Sequence, residues 1–245
     1  MQTTQKRELS MRKVSLFIGV TLIIMAIASG IAYGYLHPTI FQADSQTFSP
    51  ERLQPTLTLL RFEILLWLVV IVTDIIVAWA LHLYMRQFHE NLSLLAAWLR
   101  LLYTATLAMS IGYLLQISVS LESVATQSNA NLDALLPSIA AGERAFSLVW
   151  GFGLIIFGLH LLVLAYVALK ATPIHKAIGY LLFLAGASYL VIHTLTLLGP
   201  NMTALASQLE GFLAVPMALG ELSLVLWFIF KKGAALTVQP ALNAA

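Results

Sequence analysis

The sequence predicts an all-α, polytopic membrane protein: a six-transmembrane-helix bundle with both termini cytoplasmic. Three observations carry that expectation. Of 245 residues, 60% are apolar and 10% charged, where a soluble domain carries about 25% charged residues. Six apolar stretches reach the length of about 20 residues that a helix needs to cross a bilayer. The basic residues collect at alternate ends of those stretches, as the positive-inside rule requires.

Composition also excludes partners and chemistries. The formal charge is only +2, and no Lys/Arg-rich run interleaved with aromatics occurs, so nucleic acid is not expected as a partner. The chain has no cysteine, which removes disulfides, thiolate nucleophiles, Cys-ligated zinc and iron–sulfur clusters.

The first stretch, 14–36, follows Lys6, Arg7, Arg12 and Lys13. Its Ala26-Ile27-Ala28 mimics a signal-peptidase site. The apolar run is long for a signal peptide and ends in the aromatic pair Tyr33 and Tyr35, so it reads as an uncleaved anchor. The second stretch, 62–84, is preceded by Ser49-Pro50-Glu51, which has serine and proline where a helix start favours them. A short link, "RQFHENL", joins it to the third, 92–119. The outer stretch from Ser118 to Arg144 carries Glu122, Asp133 and Glu143 around "TQSNAN" and is expected to form a partly helical cap. The fourth and fifth stretches, 145–169 and 174–198, share another short link, "KATPIHK". The sixth, 211–230, precedes a polar tail, "GAALTVQPALNAA", that reads as a frayed end.

Placing the N-terminus inside puts Lys6, Arg7, Arg12, Lys13, Arg86, Lys170, Lys176, Lys231 and Lys232 on the cytoplasmic side. Only Arg52, Arg61 and Arg144 then fall outside, with Arg100 in the membrane. The outer links come out longer than the inner ones, at about 25 residues for the first two and about 12 for the third. The whole chain, 1–245, reads as one membrane domain.

Four ionisable residues lie inside the apolar stretches: Asp74, Arg100, His160 and Glu221. A charge at the centre of a membrane helix costs about 2.5 to 3.5 kcal/mol on insertion scales, so each must be paired, hydrated or near the interface. From the helical rise, Asp74 and Glu221 lie roughly 14 to 15 Å from the inner ends of their stretches, His160 about 12 Å and Arg100 about 8 Å. The short link makes the second and third helices neighbours, so an Asp74–Arg100 ion pair is the simplest account of both charges. Snorkelling of Arg100 alone is the alternative.

Glu221 follows Pro216 and Gly220, and a proline-bent helix beside a buried acid is one way to line a cavity; a packing notch with a protonated glutamate is the other. His160 lies beside Gly151 and Gly158, whose seven-residue spacing favours close helix approach, as does that of Gly179, Gly186 and His193. His160 is read as a hydrogen-bonded packing residue, with a proton relay or a ligand as the alternative. Tyr103, Tyr189, His193 and Glu63 are secondary candidates. His82, His160 and His193 lie at different levels, so axial haem ligation is not expected. No metal-ligand spacing, nucleophilic elbow or phosphate-binding glycine loop occurs, so the sequence names no cofactor, metal or catalytic residue.

With these residues in hand, the chain resembles the bacterial multi-pass membrane proteins of domain-of-unknown-function family 4386. The likeness is carried by Asp74, by Ala96-Ala97-Trp98-Leu99-Arg100, by Gly158-Leu159-His160 and by Gly220-Glu221-Leu222. It covers nearly the whole chain and implies six helices in a bacterial inner membrane. It implies no activity.

Three classes of function remain. The buried Asp74, Arg100, His160 and Glu221 could line a small-molecule or proton-coupled binding or transport site, in which a proton on His160 or Glu221 would balance the charges. The chain could be a non-catalytic structural or accessory subunit, with a membrane-protein partner and a cluster that only fixes helix register. An intramembrane enzyme acting on lipid is the least expected.

Overall fold

The structure is a computed structural model that describes residues 2–41, 52–126, 134–171 and 174–230. Ser49-Pro50-Glu51, residues 127–131 of the polar outer stretch, Asp133, residues 172–173 of the second inner link, Lys231, Lys232 and the tail lie outside the described residues. Among the described residues every regular element is helical. They are α1 (Gln2–Ile31), a π-helical turn (Ala32–Leu36), α2 (His37–Phe41), α3 (Leu53–Met85), α4 (Glu90–Thr126), α5 (Leu136–Lys170), α6 (Lys176–Leu197) and α7 (Pro200–Phe230). The first three run on as one rod, so six spans are long and apolar enough to cross a membrane.

The helices pack in chain order, α1 on α3, α3 on α4, α4 on α5, α5 on α6 and α6 on α7, and α7 returns to α1. The near face of the bundle holds the start of α1, the α3–α4 and α5–α6 turns and the end of α7. The far face holds α2 and the α6–α7 turn. Ring closure is made at the near face, where Ser15 Oγ donates 2.8 Å to the Phe228 carbonyl.

The helices overrun the apolar stretches that mark them in the sequence. The 33 residues of α3 span about 50 Å, against about 30 Å of hydrocarbon. Hydropathy detects lipid contact, and a helix projecting into the headgroup layer need not be apolar. The third outer link is the largest departure from expectation. In place of about 12 residues of loop there is a tight turn through Leu198 and Gly199, with Gly199 at φ +106°, a backbone that glycine tolerates best. Pro200 then opens α7 at once, and the polar residues up to Glu210 are its first turns. The described parts of the outer stretch, expected to be partly helical, are the end of α4 and the start of α5, with Pro137 in the first turn of α5.

Short turns at the near face have local causes. His175 caps α6 by accepting from the Ala177 amide at 3.2 Å. The preceding Ala171 has left the helical conformation, with ψ 117°. Between α5 and α6 the approach is closest at paired glycines: a Cβ on Gly158 would stand 2.8 Å from the Gly186 carbonyl oxygen, and one on Gly186 2.8 Å from that of Gly158. Only glycine permits that contact on both sides.

Candidate functional site

Polar side chains inside the bundle fall into three groups at successive heights. In the middle, α3, α4 and α5 bring together Asp74, Arg100, Thr104 and His160, each no more than 3% exposed. Arg100 Nε donates to Asp74 Oδ1 at 2.7 Å, and its Nη2 lies 2.5 Å from the same oxygen. The other carboxylate oxygen accepts from Thr104 Oγ1 at 2.6 Å. Arg100 Nη1 meets His160 Nε2 at 3.3 Å. A guanidinium can only donate, so that nitrogen must accept, and the ring proton is assigned to Nδ1. Nδ1 then donates to the Ala96 carbonyl at 2.8 Å.

Nη2 also donates to Met25 Sδ of α1 at 3.5 Å, and Cζ lies 5.4 Å from the centroid of the Phe157 ring. The space beside His160 is about 10 Å³, room for one water at most. This network satisfies itself. Arg100 reaches Asp74 across the α3–α4 hairpin and so does not snorkel.

Glu221 stands apart, on α7. Gly220 brings α7 so close to α6 that a Cβ there would be 2.8 Å from the Leu181 carbonyl oxygen. That approach delivers Glu221 to Tyr189, whose hydroxyl donates to Oε1 at 2.9 Å. Tyr189 in turn stacks on His193 at 5.9 Å and meets Phe157 edge-on at 5.4 Å. Among the described residues Glu221 is in no ion pair. Pro216 lies within an unbroken α7.

Above Glu221 lies a cavity of about 580 Å³ walled by α1, α5, α6 and α7. Tyr33, Trp150, Tyr189, His193, Glu210 and Glu221 supply much of its polar and aromatic lining. A smaller chamber of about 60 Å³ lies on the other side and includes Arg100 in its wall. Ala26, Glu221 and Leu222 line both spaces. Glu221 therefore sits on the partition between an outer cleft and the central network. Tyr103 is buried in the wall behind the cleft, where its hydroxyl accepts from Trp150 Nε1 at 3.4 Å.

The third group, toward the far face, centres on a residue that sequence reasoning passed over. His37 Nδ1 is 2.9 Å from Glu63 Oε1, and its Nε2 is 3.7 Å from Glu143 Oε1. Trp67 Nε1 donates to Glu63 Oε1 at 3.2 Å and Ser147 to Glu143 at 3.0 Å. Glu63 Oε2 is buried without a hydrogen-bond partner. The π-helical turn at Ala32–Leu36 ends immediately before His37; such turns often mark functional positions. The dipeptide His37-Pro38 next to the tyrosine pair was the available signal. Glu143 fell in the stretch expected to form a partly helical cap, because its polar neighbours hid the first turns of the long α5.

Of the residues singled out from sequence, Asp74, Arg100 and His160 thus touch one another. Glu221, Tyr189 and His193 form a second group on the cleft. Tyr103 stands behind it, and Glu63 belongs to the far-face group. Among the described residues no group of three His, Cys, Asp or Glu side chains is arranged to hold a metal ion.

Compared with known proteins, the chain from residue 17 to 232 matches the model of a family described as Domain of unknown function (DUF4386). No curated protein and no solved structure matches it.

Proposed function

The chain belongs to the DUF4386 family, and from that premise we propose that it binds a small molecule in the cleft between α1, α5, α6 and α7. The observation that carries this reading is the cavity of about 580 Å³ with Glu221 at its base. Ligand sites have volumes of about 300 to 1,000 Å³, mainly apolar walls and a few fixed polar groups. The cleft has that constitution. Its two-chamber arrangement also suits a carrier: Glu221, Ala26 and Leu222 divide the cleft from the small chamber beside Arg100, and a shift of the Glu221 side chain would join the two. With the N-terminus inside, as the basic residues favour, the cleft belongs to the outer half of the membrane.

A second role is favoured for Asp74, Arg100 and His160. Their hydrogen bonds are satisfied among themselves, with Thr104 and Ala96, so they act as a pin that fixes the register of α3, α4 and α5. A lipid-directed enzyme gains no support, because His160 does not line the cleft and is 1% exposed.

Native mass spectrometry of the purified chain, released from nanodiscs, tests the ligand reading. Ala218 lines the cleft and is exposed, so Ala218→Trp places an indole ring in the cleft and obstructs it. A bound compound of less than lipid mass, present on the wild type and absent from A218W, is expected. A phospholipid as the only occupant, or the same occupancy in both proteins, would overturn the reading.

A further inference from the structure

We propose that the ligand of this cleft is an amphiphilic organic cation, a single ammonium or phosphonium charge on an apolar body. This rests on the reading of the cleft as a ligand site and specifies what enters it. Three features of the lining point the same way.

The first is the sign of the charge. Among the described residues of the lining, Glu210 and Glu221 are the charged ones, with no lysine or arginine beside them. They lie at opposite ends of it: Glu210 is exposed near the far face, while Glu221 forms the base. A cation entering from the far side meets one carboxylate at the mouth and the second at the bottom.

The second is that Glu221 makes no ion pair among the described residues. Arg100, the nearest arginine to the central groups, is committed to Asp74 through both Nε and Nη2. Glu221 receives only a neutral hydroxyl, from Tyr189. A carboxylate ionised in a low-dielectric interior is stabilised by a cation beside it, and the larger of the two spaces that Glu221 lines is the cleft.

The third is the aromatic wall. Tyr33 of the π-helical turn meets Trp150 of α5 edge-on at 4.4 Å, and both line the cleft with Tyr189. Faces of Trp and Tyr attract cations, and quaternary or protonated amines are commonly held among such rings. An anion would find carboxylates and ring faces, both repulsive. A neutral apolar compound would leave Glu221 unpaired.

The test uses the full chain in nanodiscs and equilibrium dialysis against tetraphenylphosphonium and its near-isosteric anion, tetraphenylborate. Uptake by empty nanodiscs is subtracted. Saturable tetraphenylphosphonium binding is expected, weakened about tenfold by Glu221→Gln and abolished by A218W, with no saturable borate binding. Glu210→Gln, at an exposed position, is expected to weaken it about threefold. Size-exclusion profiles matching the wild type establish that each variant is folded, and E210Q keeps the test decisive if E221Q is not. Borate binding that A218W abolishes and E221Q leaves unchanged would overturn the cation while leaving the cleft as a ligand site. If A218W alters the binding of neither ion, both the cation and the cleft reading fall.

Discussion

The centre of the bundle and the cleft above it both place ionisable side chains in the membrane, yet they solve the resulting electrostatic problem in opposite ways. At the centre, Asp74 and Arg100 neutralise each other, and Thr104, His160 and Ala96 complete the hydrogen bonds within 2.6 to 3.3 Å. In the cleft, Glu221 holds one neutral hydroxyl and faces an open cavity. A buried charge does not by itself mark a binding site. What distinguishes the two regions is whether the partners of the charge belong to the protein.

The comparison breaks most readily at Arg100. Arg100→Leu leaves Asp74 buried and uncompensated, and should cost about 3 to 5 kcal/mol, seen as a large fall in folded yield and in Tm. Adding Asp74→Leu should recover most of that loss. Equal loss in the single and double variants would mean that the pair is not what the substitution disrupts.

Gly158→Val comes next. Its side chain would be driven into the Gly186 backbone, separating α5 from α6, with a cost of about 1 to 3 kcal/mol read as a lower Tm. A variant as stable as the wild type would show that the two helices do not meet at their glycines.

Thr104→Val removes one bond to the Asp74 carboxylate in a shape-conserving way and should lower stability by about 1 kcal/mol. It should leave ligand binding unaltered, which separates the pin from the cleft. Glu221→Gln should have the smallest effect on stability, within about 0.5 kcal/mol, because the Gln carbonyl still accepts from Tyr189. Its effect belongs on ligand affinity. A large loss of stability there would place Glu221 with the pin.

Much of the central network was legible in the sequence. A short α3–α4 link makes those helices neighbours, and counting residues from the link puts Asp74 and Arg100 within reach of each other. The six spans and the family likeness were legible for the same reason: both rest on strings of apolar residues and a few polar ones set among them. The cleft was not. Its existence depends on how α1 and α7 are tilted and rotated, and tilt is set by side-chain packing such as that of Ser15 on Phe228, which periodicity does not encode. Glu221 was picked out by its depth, while its place on the partition between the cleft and the chamber beside Arg100 required the fold. His37 was missed because it lies one residue beyond the apolar stretch 14–36, and no composition rule predicts the π-helical turn that precedes it.

The most direct measurement is a cryo-EM structure of the chain in lipid nanodiscs saturated with tetraphenylphosphonium. The account predicts ligand density in the cleft between Trp150 and Glu221, with Arg100 still in direct contact with Asp74 and His160. Ligand or water density wedged between Asp74 and Arg100, with lipid acyl chain filling the cleft, would contradict it.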